Sequence, residues 1–146
     1  MNFVEDAKGL LNGLFVSLIV LAVFSLINLI ISKAGIVLVL LVLVGVAIYV
    51  VYSAKNTTAS LYEELKQSVN GDSLTKLRSV RSKLFIPVIL IGLVMIAYVF
   101  ISFGAMFFIV KGNPLMYLLS ALIGGVSYYF SFYAIKKIGK ALDKLT

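Results

Sequence analysis

The sequence contains no cysteine, no histidine and no tryptophan among its 146 residues. The lack of cysteine excludes disulfide bonds, thiol nucleophiles and cysteine-based metal sites. The lack of histidine removes the commonest general base and a common zinc and haem ligand. Acidic residues are also scarce, with 6 Asp and Glu against 13 Lys and Arg. The resulting net charge of +7 favours anionic partners, either lipid headgroups or nucleic acid.

Apolar runs dominate the rest of the chain. Hydrophobic residues make up 62% of the sequence, against roughly 45–50% in soluble domains. Four apolar segments, about 10–32, 34–53, 85–110 and 114–135, each approach or exceed the ~20 residues that cross a bilayer as a helix. None of these segments contains Asp, Glu, Lys or Arg. The pattern predicts an all-α protein with four long hydrophobic helices.

Short polar breaks divide the four helices into two antiparallel hairpins. Lys33 separates the first pair, and residues 111–114 separate the second pair. The spacing of about 78 residues between Lys33 and Lys111 leaves open an origin of the two hairpins by duplication. We expect a single all-helical domain, 1–146, that consists of hairpin 1 (about 10–53), a charged amphipathic connector (55–84), hairpin 2 (about 85–135) and a basic C-terminal helix extension (136–146).

The connector is predicted to form two short polar helices with a break at Gly71. In the second of these helices, Leu77, Val80 and Leu84 share one face at about 100° per residue. Basic residues flank this apolar face on both sides, which is typical of an interfacial helix that leads into a span. The flanking residues are Lys76 and Lys83 on one side and Arg78 and Arg81 on the other.

The C-terminal extension is predicted to be a second basic amphipathic helix. Ile138 and Leu142 fall on its apolar face, and four lysines fall opposite them. Such lysines suit anionic lipid headgroups, and they equally suit the phosphates of double-stranded DNA, bound without sequence specificity. The predicted anion contacts are Lys76, Arg78, Arg81, Lys83, Lys136, Lys137, Lys140 and Lys144.

The basic residues are distributed unequally between the two sides of the hairpins. Eleven of the 13 flank the same side, together with all six acids, and only Lys33 and Lys111 lie on the other side. For a chain that inserts in a cell membrane, this asymmetry places both termini and the connector in the cytoplasm.

The spans lack side chains that perform chemistry at membrane depth. Their polar residues are Asn, Ser and Tyr, which suit hydrogen bonds between helices. We therefore predict no enzymatic activity, no catalytic residues, no cofactor and no metal site. A stripe of small residues on the fourth span predicts close helix packing through Ser120, Ala121, Gly124, Gly125, Ser127 and Ser131.

The short length, the four hydrophobic helices, the missing Cys, His and Trp and the one-sided basic charge resemble a known family. They are similar to the hydrophobic major capsid proteins of the large tailed spindle-shaped viruses of hyperthermophilic acidophilic archaea. The likeness extends over the whole chain and rests on its overall character. It implies a virion protein that inserts transiently in the host membrane. Copies of it then assemble through their apolar helices into a helical shell, with the basic side toward packaged DNA.

The alternative is a resident four-span protein of an archaeal plasma membrane, with both termini in the cytoplasm. It would be an accessory or assembly subunit, and its basic residues would contact anionic lipid headgroups. The two hypotheses differ in the anion that the basic side binds and in whether the apolar helices meet lipid or other copies.

Overall fold

The computed structural model describes residues 2–33, 35–67, 71–107 and 113–145. These residues are almost entirely helical and include no β-strand, which confirms the predicted all-α fold. The helices are α1 (Asn2–Ser32), α2 (Gly35–Gln67), α3 (Gly71–Lys83), α4 (Phe85–Met106) and α5 (Pro114–Leu145).

The two predicted hairpins are present, since α1 packs against α2 and α4 packs against α5. Between α1 and α2, Lys33 adopts a left-handed backbone conformation with φ of 52°, and its N–H donates to the Leu29 carbonyl at 2.9 Å. This conformation ends α1 and reverses the chain. At the start of α5, the Asn113 side-chain oxygen accepts the Leu115 N–H at 3.0 Å, and Pro114 is the first helical residue. Both residue types are favoured at these positions. The preceding residues 108–112, including Lys111, lie outside the described part.

Helices α1, α2, α4 and α5 form a four-helix bundle in that cyclic order. α1 packs against α2 and α5, and α4 also packs against α2 and α5, so each helix has two antiparallel neighbours. The most extensive pairing joins α1 to α5. The two predicted hairpins therefore pack against each other along their length, which the sequence pattern did not indicate.

The core of the bundle follows the helical repeat of each span. On α1, Leu11, Leu14, Leu18 and Leu21 recur every three or four residues and are fully buried. α2 contributes a similar stripe that continues beyond the predicted span. Its buried residues are Val37, Leu40, Val44, Ala47, Val51 and Ala54.

Polar groups in the interior are hydrogen-bonded. The Ser25 hydroxyl of α1 lies 2.5 Å from the Tyr98 hydroxyl of α4, across the centre of the bundle. The Asn28 side-chain amide donates to the Ser120 hydroxyl of α5 at 2.8 Å. In the described part of the chain, no buried side-chain nitrogen or oxygen lacks a hydrogen-bond partner. Such pairing matters because an unpaired polar group in hydrocarbon costs several kcal/mol, on the order of 4.

The small-residue stripe of α5 faces the interior of the bundle. A Cβ atom on Gly124 would lie 3.5 Å from the Met95 Cβ atom of α4, so α4 and α5 approach closely there. The hydroxyls of Ser127 and Ser131 each donate to the carbonyl one turn earlier at 3.0 Å. The buried members of the stripe are Ser120, Ala121, Gly124, Ser127 and Ser131, and Gly125 is half-buried at its edge.

Large apolar side chains cover the outside of all four long helices. One example from each helix shows this exposure: Ile30 exposes 67% of its surface, Val39 58%, Phe100 71% and Leu122 66%. In the described residues, four segments are long and apolar enough to cross a membrane. They are Lys8–Ile31, Gly35–Ser60, Thr75–Met106 and Pro114–Lys140.

The connector differs from the predicted pair of short helices. α2 continues through residues 54–67, since this stretch has no Gly or Pro and is rich in helix-forming residues. α3 leads directly into α4, because Leu84 keeps a right-handed helical backbone and its N–H donates to the Val80 carbonyl at 3.0 Å. Pro87 accounts for the brief interruption, since it has no N–H for the Lys83 carbonyl. The connector thus consists of the ends of two long helices.

Candidate anion-binding site

The basic residues gather at one end of the bundle, which we call the basic end. The antiparallel path brings together the start of α1, the last turns of α2, the whole of α3 and the last turns of α5. Of the basic residues that the structure describes, Lys33 lies at the opposite end. The predicted asymmetry of charge along the sequence is therefore an asymmetry between the two ends of the bundle.

The position of α3 at the basic end depends on its apolar face. Leu77, Val80 and Leu84 are buried, with at most 3% of their surface exposed, where α3 packs against α2 and α5. The predicted flanks of this face remain accessible. Lys76, Lys83, Arg78 and Arg81 are all exposed.

Each flank of α3 lines a separate groove. The lysine groove, about 480 Å³, lies between α2 and α3 and contains Lys76 and Lys83. The arginine groove, about 320 Å³, lies between α3 and α5 and contains Arg78 and Arg81. The lysine groove is otherwise lined by Ser53, Ala54, Asn56, Thr57, Ser60, Ser79 and Val80, and the arginine groove by Ser82, Phe85, Leu142 and Asp143.

Beside the arginine groove, Gly139 of α5 allows Arg81 to approach the helix. A Cβ atom on Gly139 would lie 3.3 Å from the Arg81 guanidinium carbon. The guanidinium therefore occupies the space that a larger residue would need. Asp143 lines the same groove, so this site presents both charges. The carboxylate makes this site less favourable for an anion than its two arginines alone would be.

The lysines of α5 continue the basic end. Lys136 and Lys140 are exposed, and Lys137 is half-buried. The Lys136 ammonium lies 6.0 Å from the centre of the Tyr133 ring, at the outer range of a cation–π contact. The opposite face of this segment is buried at Ala134, Ile138 and Leu142. The side chain of Lys144 lies outside the described part of the chain.

The structure adds residues that the sequence pattern did not single out. Lys55 of α2 places its ammonium 5.0 Å from the centre of the Phe15 ring of α1. Folding α2 back on α1 about Lys33 brings these two positions together, so the contact could have been predicted from the hairpin. Gly139 and the hydroxyl-bearing residues of the lysine groove were also missed. The hydroxyl-bearing residues of α2 could have been found from the sequence, because the spacing of Ser53, Thr57 and Ser60 places them on one face of the helix.

In the described residues, no three Asp, Glu, His or Cys side chains come close enough together to hold a metal ion. The one described carboxylate at the basic end, Asp143, is exposed. Side chains of the other acids, Glu5, Asp6, Glu63, Glu64 and Asp72, lie outside the described part.

No protein-family model, curated protein or solved structure matches this chain. The architecture of the bundle and the charge of its basic end are consequently the observations from which a function can be inferred.

Proposed function

We propose that the chain is a four-span membrane protein whose basic end lies in the cytoplasm and binds anionic lipid headgroups. Its role is structural, as an accessory or assembly subunit, and no step of catalysis is assigned to it. The observation that carries this proposal is the apolar exterior of all four long helices, which ends where the basic residues begin.

The exterior of the bundle supports immersion in lipid. Large apolar side chains cover the outside of every candidate span. In water, a monomer rarely exposes one apolar patch of more than a few hundred Å², on the order of 600. In hydrocarbon, the same apolar surface can contact acyl chains directly. The internal hydrogen bonds of Ser25 and Asn28 pair polar groups for which lipid offers no hydrogen-bond partner.

The basic end supports an anionic membrane surface as the contact. A Lys or Arg near such a surface contributes about 1 kcal/mol. Lys83 lies two residues before Phe85, the first residue of α4, which exposes an aromatic ring where the apolar surface starts. The arrangement of cations above an apolar boundary fits headgroups on one side and acyl chains on the other.

Three glycines provide a direct test of this topology, because the chain has no cysteine. Gly9, Gly35 and Gly45 each have open space where a Cβ atom would be, so Gly→Cys substitution at each is expected to leave the packing unchanged. Gly9 lies near the start of α1 at the basic end, Gly35 at the opposite end, and Gly45 in the middle of the apolar segment 34–53. Each variant is treated with a membrane-impermeant maleimide in intact cells and again after permeabilisation.

The three variants should label differently. G35C is expected to react in intact cells, G9C only after permeabilisation, and G45C in neither case, because a thiol in hydrocarbon rarely forms the thiolate. Reaction of G45C under native conditions, or reaction of G9C and G35C from the same side, would contradict the four-span topology. Recovery of the chain in the soluble fraction would contradict it as well.

The capsid subunit implied by the family resemblance is the second candidate. The same apolar exterior could pack against copies of the chain, and the same exposed cations could hold DNA phosphates. Its test is the oligomeric state and nucleic-acid content of the purified protein. A helical array that protects DNA from nuclease, and releases it as salt is raised, would favour the capsid. Single bundles or small oligomers without DNA would favour the resident membrane protein.

A further inference from the structure

We propose that the lysine groove is a specific site for a lipid headgroup that carries one phosphate and neighbouring hydroxyl groups. This inference rests on the proposed membrane topology and refines it. A basic surface by itself would attract every anionic lipid of equal charge to the same extent, whereas a groove of defined shape and chemistry distinguishes among them.

The two cations of the groove are well placed for one phosphate. Lys76 and Lys83 are seven residues apart on α3, so both lie on the same flank, separated by about 10 Å along the helix axis. Their long side chains can converge on an anion between them. The described lining of this groove carries four hydroxyl-bearing residues, whereas that of the arginine groove carries Ser82 and the Asp143 carboxylate. Of the two grooves, the lysine groove is the better site for a phosphate.

The opposite wall of the groove offers groups for hydroxyls. Ser53, Thr57 and Ser60 form a row along α2, with Asn56 beside them, and Ser79 faces them from α3. The Thr57 hydroxyl donates to the Ser53 carbonyl at 2.9 Å, so its remaining capacity is that of an acceptor. Serine hydroxyls and the Asn56 amide can donate or accept. A row of such groups opposite two cations matches a phosphate ester of a polyol.

The position of the groove points to a lipid as the source of this headgroup. The apolar run of α2 ends at about residue 53, where Tyr52 is half exposed, and the apolar surface of α4 begins at Phe85 and Ile86, both about half exposed. The groove therefore opens at the boundary between the apolar and the basic surface. A lipid whose phosphate lies between the lysines can extend its acyl chains along α4. The volume of about 480 Å³ is within the range of small-ligand sites, roughly 300–1,000 Å³.

The test compares lipids of equal charge. The full chain is reconstituted in phosphatidylcholine nanodiscs that contain a minor fraction of phosphatidylinositol, phosphatidylglycerol or phosphatidylserine. Each of these headgroups carries a net charge of about −1, but the number of hydroxyls falls in that order. Bound lipid is counted by native mass spectrometry. We expect phosphatidylinositol to bind about tenfold more tightly than phosphatidylserine, as two additional neutral hydrogen bonds would produce.

Three paired variants separate charge from recognition. K76Q/K83Q should lose about 30-fold in phosphatidylinositol affinity, since two lysine contacts are removed. R78Q/R81Q removes the same charge from the other flank of α3 and should leave the ratio of phosphatidylinositol to phosphatidylserine unchanged. S60A/S79A keeps every charge and should lower that ratio several-fold, to about 3 or less.

Equal binding of the three lipids by the wild-type chain would overturn the specific site. So would an equal loss of phosphatidylinositol affinity in K76Q/K83Q and R78Q/R81Q. In either case the glycine-to-cysteine labelling can still support the four-span topology, so the two proposals fail separately. Free inositol 1-phosphate provides a last arm: if it displaces the lipid at equal concentration, the groove recognises a soluble phosphate ester and the assignment to lipid is wrong.

Discussion

The two faces of α5 differ in the size and polarity of their side chains. The face toward the bundle carries Ser, Ala and Gly, with Ser120 and Ser127 fully buried, whereas the outer face carries large apolar residues such as Leu122 and Phe132. A helix of a water-soluble bundle shows the reverse polarity. The difference teaches that, for a bundle immersed in lipid as proposed, burial of apolar surface would contribute little to holding α5 against its neighbours. Close packing and internal hydrogen bonds take its place.

The largest expected effect comes from a charge on the outer face. Ile96, near the middle of α4, exposes 52% of its surface. If that face contacts lipid, Ile96→Lys should make membrane insertion of this span less favourable by about 3 kcal/mol. Insertion can be measured by glycosylation mapping of the isolated span and of the full chain, with Ile96→Leu as the matched control. Unchanged insertion of the Lys variant would show that the outer face does not meet lipid.

Enlarging a residue on the inner face should have the next largest effect. Because the Gly124 position lies against Met95, Gly124→Leu must separate α4 and α5 and should destabilise the bundle by about 2 kcal/mol. Gly45→Leu is the control, since a Cβ atom at Gly45 meets no atom within 4 Å. The free energy of unfolding in micelles, followed by circular dichroism, distinguishes the two variants. Equal stability of both would mean that the α4–α5 contact is not close in solution.

Removing the interior amide should cost somewhat less. Asn28→Leu deletes the donor to Ser120, and we expect a loss of about 1.5 kcal/mol in the free energy of unfolding. The Ser120 hydroxyl keeps its own bond to the Met116 carbonyl at 3.0 Å, which limits the penalty. A double-mutant cycle with Ser120→Ala measures the coupling between the two side chains. Additive effects of the two substitutions would exclude this hydrogen bond.

The smallest effect is expected for the hydroxyl pair at the centre of the bundle. Tyr98→Phe removes the bond to Ser25 while keeping the ring, and helix–helix bonds of this kind contribute about 0.6 kcal/mol in membrane proteins. Tyr49→Phe, on a side chain with 73% of its surface exposed, should leave stability unchanged. The same unfolding measurement applies. A loss in the Tyr49 variant equal to that in the Tyr98 variant would remove the contrast between interior and exterior.

The sequence pattern was sufficient for the number and type of the long helices, but not for the end of α2, which continues to Gln67. Length and composition decide these features, because few other structures can satisfy the backbone in so apolar a chain. The amphipathic face of α3 was equally readable, since Leu77, Val80 and Leu84 recur at helical spacing. The break at Gly71 was placed within a few residues, between the end of α2 and the start of α3.

The pairing of helices from different hairpins could not be read in the same way. Apart from the small-residue stripe of α5, both faces of each span are apolar, so periodicity does not say which face meets which neighbour. The bond between Asn28 and Ser120 joins residues 92 positions apart, and nothing local marks the pair. The two grooves beside α3 depend on the same long-range packing. The lysines and arginines that line them were identified, but their hydroxyl-bearing and glycine partners were not.

The nearly unbroken junction at Leu84 has a mechanical consequence. Because Leu84 keeps a helical backbone between them, α3 and α4 form one nearly continuous helix, and in the proposed membrane setting a displacement of α3 would be passed on to α4. Arg81 of α3 and Tyr98 of α4 are about 25 Å apart along the axis of this helix. Any headgroup that draws α3 toward α2 would also move the part of α4 that contains Tyr98, which contacts Ser25. The lipid composition of one leaflet would thereby change the packing of the helices at the centre of the bundle.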